Sequence, residues 1–336
     1  MKRTCAIIVL MLFVLAAFGN GAVNTSQSAA QKRRLEYKIK PFADLYFYVY
    51  RFASGTDKPP DVEGLAAAVE AARQTPIVFT LIDAIPFELE NAAAAEAAFK
   101  QFPENYITSK GATVSLREKL APLGRTLVAV EIPFGEKIWP QHKVRLEEVA
   151  AKLERTLGPK EQEAFAYFTR QLGMADAEST VPIYLVVETP WPGGFTMWGK
   201  DKTRGACAIN VTTYEGPQLL TAVLHEAIHA LDLETKGKGN VLVELRTRLL
   251  QAGFREDDAV VRHGPHLLVF IQSSETVKRF VDPSFQPYNE GIFTRPGLQP
   301  LVKVELPAWT AYLDGKVSRE QALEQIVDGF VKARGQ

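Results

Sequence analysis

Apolar and polar positions along the chain divide it into a long helical stretch, a short β-rich passage and a second helical stretch. At 42–52, Tyr46, Phe47, Tyr48, Tyr50 and Phe52 crowd together, and a run this short is compatible with a strand or a buried helix because its period does not separate them. A loop at 55–60 follows. Segments 61–73 and 87–102 carry alanine-rich amphipathic patterns that predict helices, and 126–132 reads as a strand. The patterns over 136–157 and 159–172 predict a helical pair, with Lys143, Arg145, Glu147 and Glu148 on a solvated face. Composition shifts near 174–180. Beyond it, β-branched 181–187 predicts a strand, 189–205 a Pro/Gly/Trp-rich loop or hairpin, and 207–212 a second short strand. An apolar helix follows at 219–231, bounded by Gly216-Pro217 before it and by Gly237 and Gly239 after it, and further helices are expected at 240–252 and 262–280. The fold class is therefore α+β and mainly helical, with a small mixed sheet before the 219–231 helix and a helical C-terminal lobe. No period of 20–50 residues repeats, which argues against a solenoid.

Composition refines this picture at the N-terminus. Lys2 and Arg3, an apolar stretch at 5–18 and small residues at 19–22 have the form of a secretory signal peptide over 1–22. The stretch is short for a membrane span, which needs about 20 apolar residues, so a secreted or periplasmic protein without a stable span is expected. Residues 23–34 are polar and unpatterned, as in a disordered tail. The expected organisation continues with a mainly helical region at 35–176 and a catalytic region at 177–336. Removing the leader takes Lys2 and Arg3 from a chain with 39 basic and 39 acidic side chains, leaving 37 against 39 and a net charge near −2. Basic residues are scattered, which excludes the one-sided stripe of a nucleic-acid binder. Cys5 lies in the leader, so Cys207 would stand alone and no intramolecular disulfide can form.

The chemistry concentrates at 221–232, which reads TAVLHEAIHALD. His225 and His229 lie four residues apart, so on a helix they leave within about 40° of one face, as two prongs for a metal ion. Glu226 is offset around the helix and can reach a water at the metal's open position without ligating the metal. Zinc brings the pKa of such a water down to about 7, where a carboxylate can take its proton and pass it to a leaving amine. A strand pair immediately before this helix is the order expected if a sheet edge lines the cleft and pairs with an extended peptide.

On His225, Glu226 and His229 the chain resembles the zincin clan of zinc metallopeptidases, whose two-lobed fold places this motif at the floor of a cleft. The metzincin branch would need glycine and histidine where this chain has Asp232 and Thr235. The resemblance then implies the gluzincin arrangement, in which a glutamate of the next helix is the third ligand to one zinc ion. Glu244 is the candidate for that role, because the 240–252 helix returns past His229. Arg248 stands where that arrangement usually has an acid, and an ion pair with Glu244 at i+4 is the competing use of the carboxylate. Asp232 returns to the metal face and fits a hydrogen bond to a ligand histidine. His266, later in the chain, resembles in its order the imidazole that stabilises the oxyanion in gluzincins, and a capping or core histidine beside Pro265 is the competing reading. His266, Glu275 and Asp232 remain alternatives for the third ligand.

Two weaker patterns carry no function. GFTMWGKD at 194–201 falls short of a phosphate-binding loop, since aspartate replaces the needed Ser/Thr, and it reads better as a hairpin near the cleft. Asn210-Val211-Thr212 matches a glycosylation acceptor but lies in an expected strand. Tyr288, Trp309 and Tyr312 read as core. The expected function is a secreted zinc-dependent peptidase acting on a peptide or protein substrate, with Glu226 as base and then acid. A zinc-stabilised, inactive binding or scaffold protein of the same fold is the alternative.

Overall fold

The sheet organises the molecule. In the computed structural model, which describes residues 34–75, 89–102, 104–107, 113–174, 180–190, 193–198, 205–235, 239–289 and 291–335, four strands are ordered β1 (Leu35–Lys38), β4 (Val181–Val186), β6 (Gly205–Asn210), β5 (Gly194–Trp198). β1 and β6 both run parallel to β4, while β5 forms an antiparallel edge on β6. β2 (Asn105–Ile107) and β3 (Thr113–Ser115) make a separate antiparallel pair. The expected leader at 1–22 and the tail up to residue 33 lie outside the described residues, as do Phe87, Gly237 and 199–204. Arg34 does not belong to the tail: it is buried, and its backbone N–H and that of Leu35 both donate to the buried Glu161 carboxylate, the second at 3.0 Å. That carboxylate fixes the start of a strand that joins the N-terminal part to the β-rich passage across the expected boundary at 176.

Alternation along the strands places a core on each face of the sheet. Ile183, Leu185, Cys207 and Ile209 face one core, and Tyr184, Val186, Ala206, Ala208 and Met197 face the other. The second core is filled by α1 (Pro41–Ser54), α2 (Leu65–Arg73), α3 (Ala92–Lys100) and α4 (Leu116–Lys137). The aromatic run at 42–52 is thus a helix, which buries Phe42, Tyr46, Phe47 and Tyr50. The strand expected at 126–132 is also helical. Leu120, Leu123, Leu127, Val130 and Phe134 are the buried positions of α4, a spacing near 3.5 residues that only a helix can present to one core, and Ile132 is left 71% exposed. The expected helical pair is present as α5 (Trp139–Leu157) and α6 (Glu161–Leu172).

The first core holds α5 and α6 together with α7 (Gly216–Thr235), α8 (Val241–Gln251), α9 (Ala259–Phe280), α10 (Gln299–Leu313) and α11 (Arg319–Arg334). Short 3-10 turns at Pro287–Asn289, Gly291–Thr294 and Pro296–Leu298 join α9 to α10. The protein is mainly helical with a small mixed sheet. Among the described residues no helix is long and apolar enough to cross a membrane.

Candidate metal centre

α7 lies buried between β5, β6 and α9, with Val223, Leu224, Ala227, Ile228, Ala230 and Leu231 inaccessible to solvent. Two glycines permit this close approach. A Cβ on Gly205 would stand 2.6 Å from Ala230 Cα, and one on Gly194 would stand 2.8 Å from Ala208 O and 2.9 Å from Glu226 Cγ. The segment 225–229 is therefore pressed against the edge of the sheet, and its two histidines emerge where α7 meets α9.

Three imidazoles converge there. His225 Nε2 lies 2.9 Å from His266 Nε2 and 3.1 Å from His229 Nε2, and one nitrogen from each ring falls within 4.8 Å of the others. Tetrahedral zinc with bonds of about 2.0–2.1 Å sets its ligand nitrogens about 3.3 Å apart, within a few tenths of an ångström of the two distances from His225 Nε2. A neutral imidazole has a single N–H, so three nitrogens turned toward one point cannot each be satisfied by the others, whereas a cation takes a lone pair from each. Burial, and then the neighbouring histidines, hold His225 well below its ordinary pKa, and burial followed by His266 brings His229 down to about 3. Both rings are thus neutral at physiological pH, the form that binds metal. The donor set fits a divalent ion.

Glu226 is 6% exposed and belongs to the wall of the same cavity as the three histidines. Burial raises its pKa to about 7, against a lowering contribution from Thr196, whose Oγ1 donates to Glu226 Oε2 at 2.7 Å. Thr196 and Gly194 share one face of β5, the strand at the sheet edge, and Cys207 on β6 donates its thiol to the Glu226 carbonyl at 3.3 Å. The carboxylate is held by the sheet while the histidines are held by helices.

The other expected residues fall differently. His266, weighed above for the oxyanion and as an alternative third ligand, joins the histidine group. Glu244 lies outside it: the carboxylate is partly exposed at the start of α8 and is captured 2.5 Å away by Arg248 one turn on, which also reaches Glu320 of α11 at 2.6 Å. Glu275 accepts a 2.5 Å hydrogen bond from Tyr288, and Asp232 one from Asn240, so neither joins the three rings. Asp232 lines a second cavity behind His229 and His266. Trp309 is core, as expected, with its indole N–H on Gln272 Oε1 at 3.1 Å. Thr196, Phe270, Ser274 and Arg295 also line the histidine cavity and were not anticipated. Only strand alternation in the hairpin and the i+4 spacing from His266 to Phe270 and Ser274 could have pointed to three of them. Comparison with models of known families, with curated proteins and with solved structures finds no match for this chain.

Proposed function

We propose that the protein is a secreted zinc-dependent peptidase in which His225, His229 and His266 hold the metal and Glu226 moves the proton. The observation that carries this reading is the convergence of three neutral imidazole nitrogens beside a buried carboxyl in one cavity. Bound zinc would supply an acidified water and a charge to polarise the substrate carbonyl. The chain's own residues do the rest. Glu226, with a pKa near neutrality, is suited both to accept the water proton and to return it to the departing amine. Thr196 fixes one carboxylate oxygen and leaves the other available, and β5 at the sheet edge offers backbone groups to an extended peptide. The secreted setting rests on the leader-like pattern at 1–22.

The test is Glu226→Gln, assayed on a broad peptide panel together with metal content by atomic emission. The wild type is expected to carry one zinc ion per chain and to hydrolyse peptides, and the variant to keep the zinc and lose about a hundredfold or more of the rate. Unchanged turnover in the variant would refute the assignment of Glu226. Zinc without turnover in the wild type would favour the scaffold alternative.

A further inference from the structure

The cavity over the histidines has a volume of about 400 Å³, and its walls follow two helical stripes that begin at the metal-binding side chains. On α9, His266, Phe270 and Ser274 are four residues apart, each step carrying the lining about 6 Å along the helix and about 40° around it. On α7, His225, Thr221 and Gln218 lead away from the centre in the same manner. Phe293 and the turns between α9 and α10 close the far side. The volume is at the lower end for small-molecule sites, room for one or two residues and not for a long extended chain.

Two features distinguish it from a plain apolar pocket. Ser274 is fully buried, and its hydroxyl has no partner among the described residues, although the adjacent Ser273 is satisfied by the Phe270 carbonyl at 3.1 Å. Arg295 lines the cavity as its one arginine or lysine, is exposed, and makes no ion pair with any described residue. A guanidinium beside an apolar cavity, without an ion pair to any described residue, is a fork for a carboxylate.

Building on the peptidase reading, we propose that this cavity binds the C-terminal residue of a substrate, with a large apolar side chain against Phe270 and Phe293 and the terminal carboxylate on Arg295. The reaction is then that of a carboxypeptidase. The amide C–N bond breaks, the carbonyl carbon gains the hydroxyl of water, and Glu226 carries the remaining proton to the amine of the released residue.

Calorimetric titration of the purified protein tests this without turnover. The probes are N-acetylphenylalanine, its C-terminal amide, N-acetylalanine, and an N-acetylated, C-terminally amidated Phe-Asp dipeptide whose one carboxylate is a side chain. N-Acetylphenylalanine is expected to bind about tenfold more tightly than its amide and at least about tenfold more tightly than N-acetylalanine. Arg295→Gln should abolish the first preference and keep the second, and both should survive chelation, placing the carboxylate on the arginine and not on metal. Equal binding of acid and amide, an acid preference unchanged in Arg295→Gln, or one lost on chelation overturns the proposal. Binding of the Phe-Asp amide as tight as that of N-acetylphenylalanine would shift recognition to acidic side chains and overturn the C-terminal assignment. Failure of the peptidase reading has a separate signature, an absence of zinc and turnover with these affinities intact.

Discussion

Two histidine sites on opposite sides of the sheet show what separates a structural imidazole from a metal-binding one. In the N-terminal core, Asp44 is fully buried on α1, its Oδ2 lies 2.6 Å from His142 Nδ1, and its Oδ1 accepts the backbone N–H of Val187 at 2.8 Å. The His142 ring sits edge-on to Tyr48 and Phe134 at 5.4 and 6.0 Å. Both oxygens of that carboxylate are used, and the result is a clamp between α1, α5 and the end of β4. In the C-terminal core, His225, His229 and His266 turn nitrogens on one another, none of the three rings is hydrogen-bonded to a carboxylate of the described residues, and His225 Nδ1 has no partner among them. Burying such a cluster is costly unless something else satisfies it. Polar groups already satisfied point to architecture; polar groups awaiting a partner point to a ligand.

The contrast breaks most sharply at the clamp. Asp44→Ala removes the acceptor of the buried Val187 N–H and the partner of the partly buried His142 ring, and is expected to cost about 3–5 kcal/mol in denaturant unfolding while leaving zinc stoichiometry unchanged. Loss of zinc with that substitution would mean that the two sites are coupled. At the other site the dependence reverses. Chelation should lower the unfolding free energy by about 3–4 kcal/mol, since a ligand held at a thousand times its dissociation constant contributes about that much, and His225→Ala should show no further loss on chelation. A thermal midpoint indifferent to chelator in the wild type would remove the metal reading.

These differences also mark how far the linear chain was legible. The motif residues His225, Glu226 and His229 were readable because a helix converts a four-residue spacing into one face, and the strand at 181–187 because a β-branched run between turn residues has few other uses. The strand expected at 207–212 lies instead at Gly205–Asn210, since the β-branched Val211 and Thr212 carried the signal past its end. The strand expected at 126–132 failed for a physical reason: Val128 and Ile132 are apolar but exposed, and they masked the helical period of the residues beneath them. The third histidine was visible only as a residue worth weighing. Its place in the cluster depends on how α9 crosses α7, which local pattern does not encode, and Arg248 at i+4 drew Glu244 away from the role that a resemblance gave it. Thr196 depended on strand register, in which Gly194 and Thr196 face α7 and Phe195 the opposite core.

A smaller effect sharpens the same comparison at a third buried group. Glu305 on α10 is wholly inaccessible, neither carboxylate oxygen has a hydrogen-bond partner among the described residues, and Gly264 of α9 leaves room for it, since a Cβ there would stand 2.8 Å from Oε1. Burial pushes its pKa well above the ordinary 4.5. The folded chain therefore keeps this proton at pH values where the unfolded chain has lost it. The stability tied to the neutral form is complete below the unfolded-state value and declines as the pH rises from there toward the folded-state value. Glu305→Gln keeps the shape and removes the ionisation. Its unfolding free energy relative to the wild type should be nearly pH-independent below about pH 4 and should improve to an advantage of about 1–3 kcal/mol by pH 8. Parallel stability curves for the two proteins across that range would show that the folded state does not discriminate between the protonated and ionised carboxyl. Glu305 would then stand with Asp44, as a satisfied group, and not with the histidines.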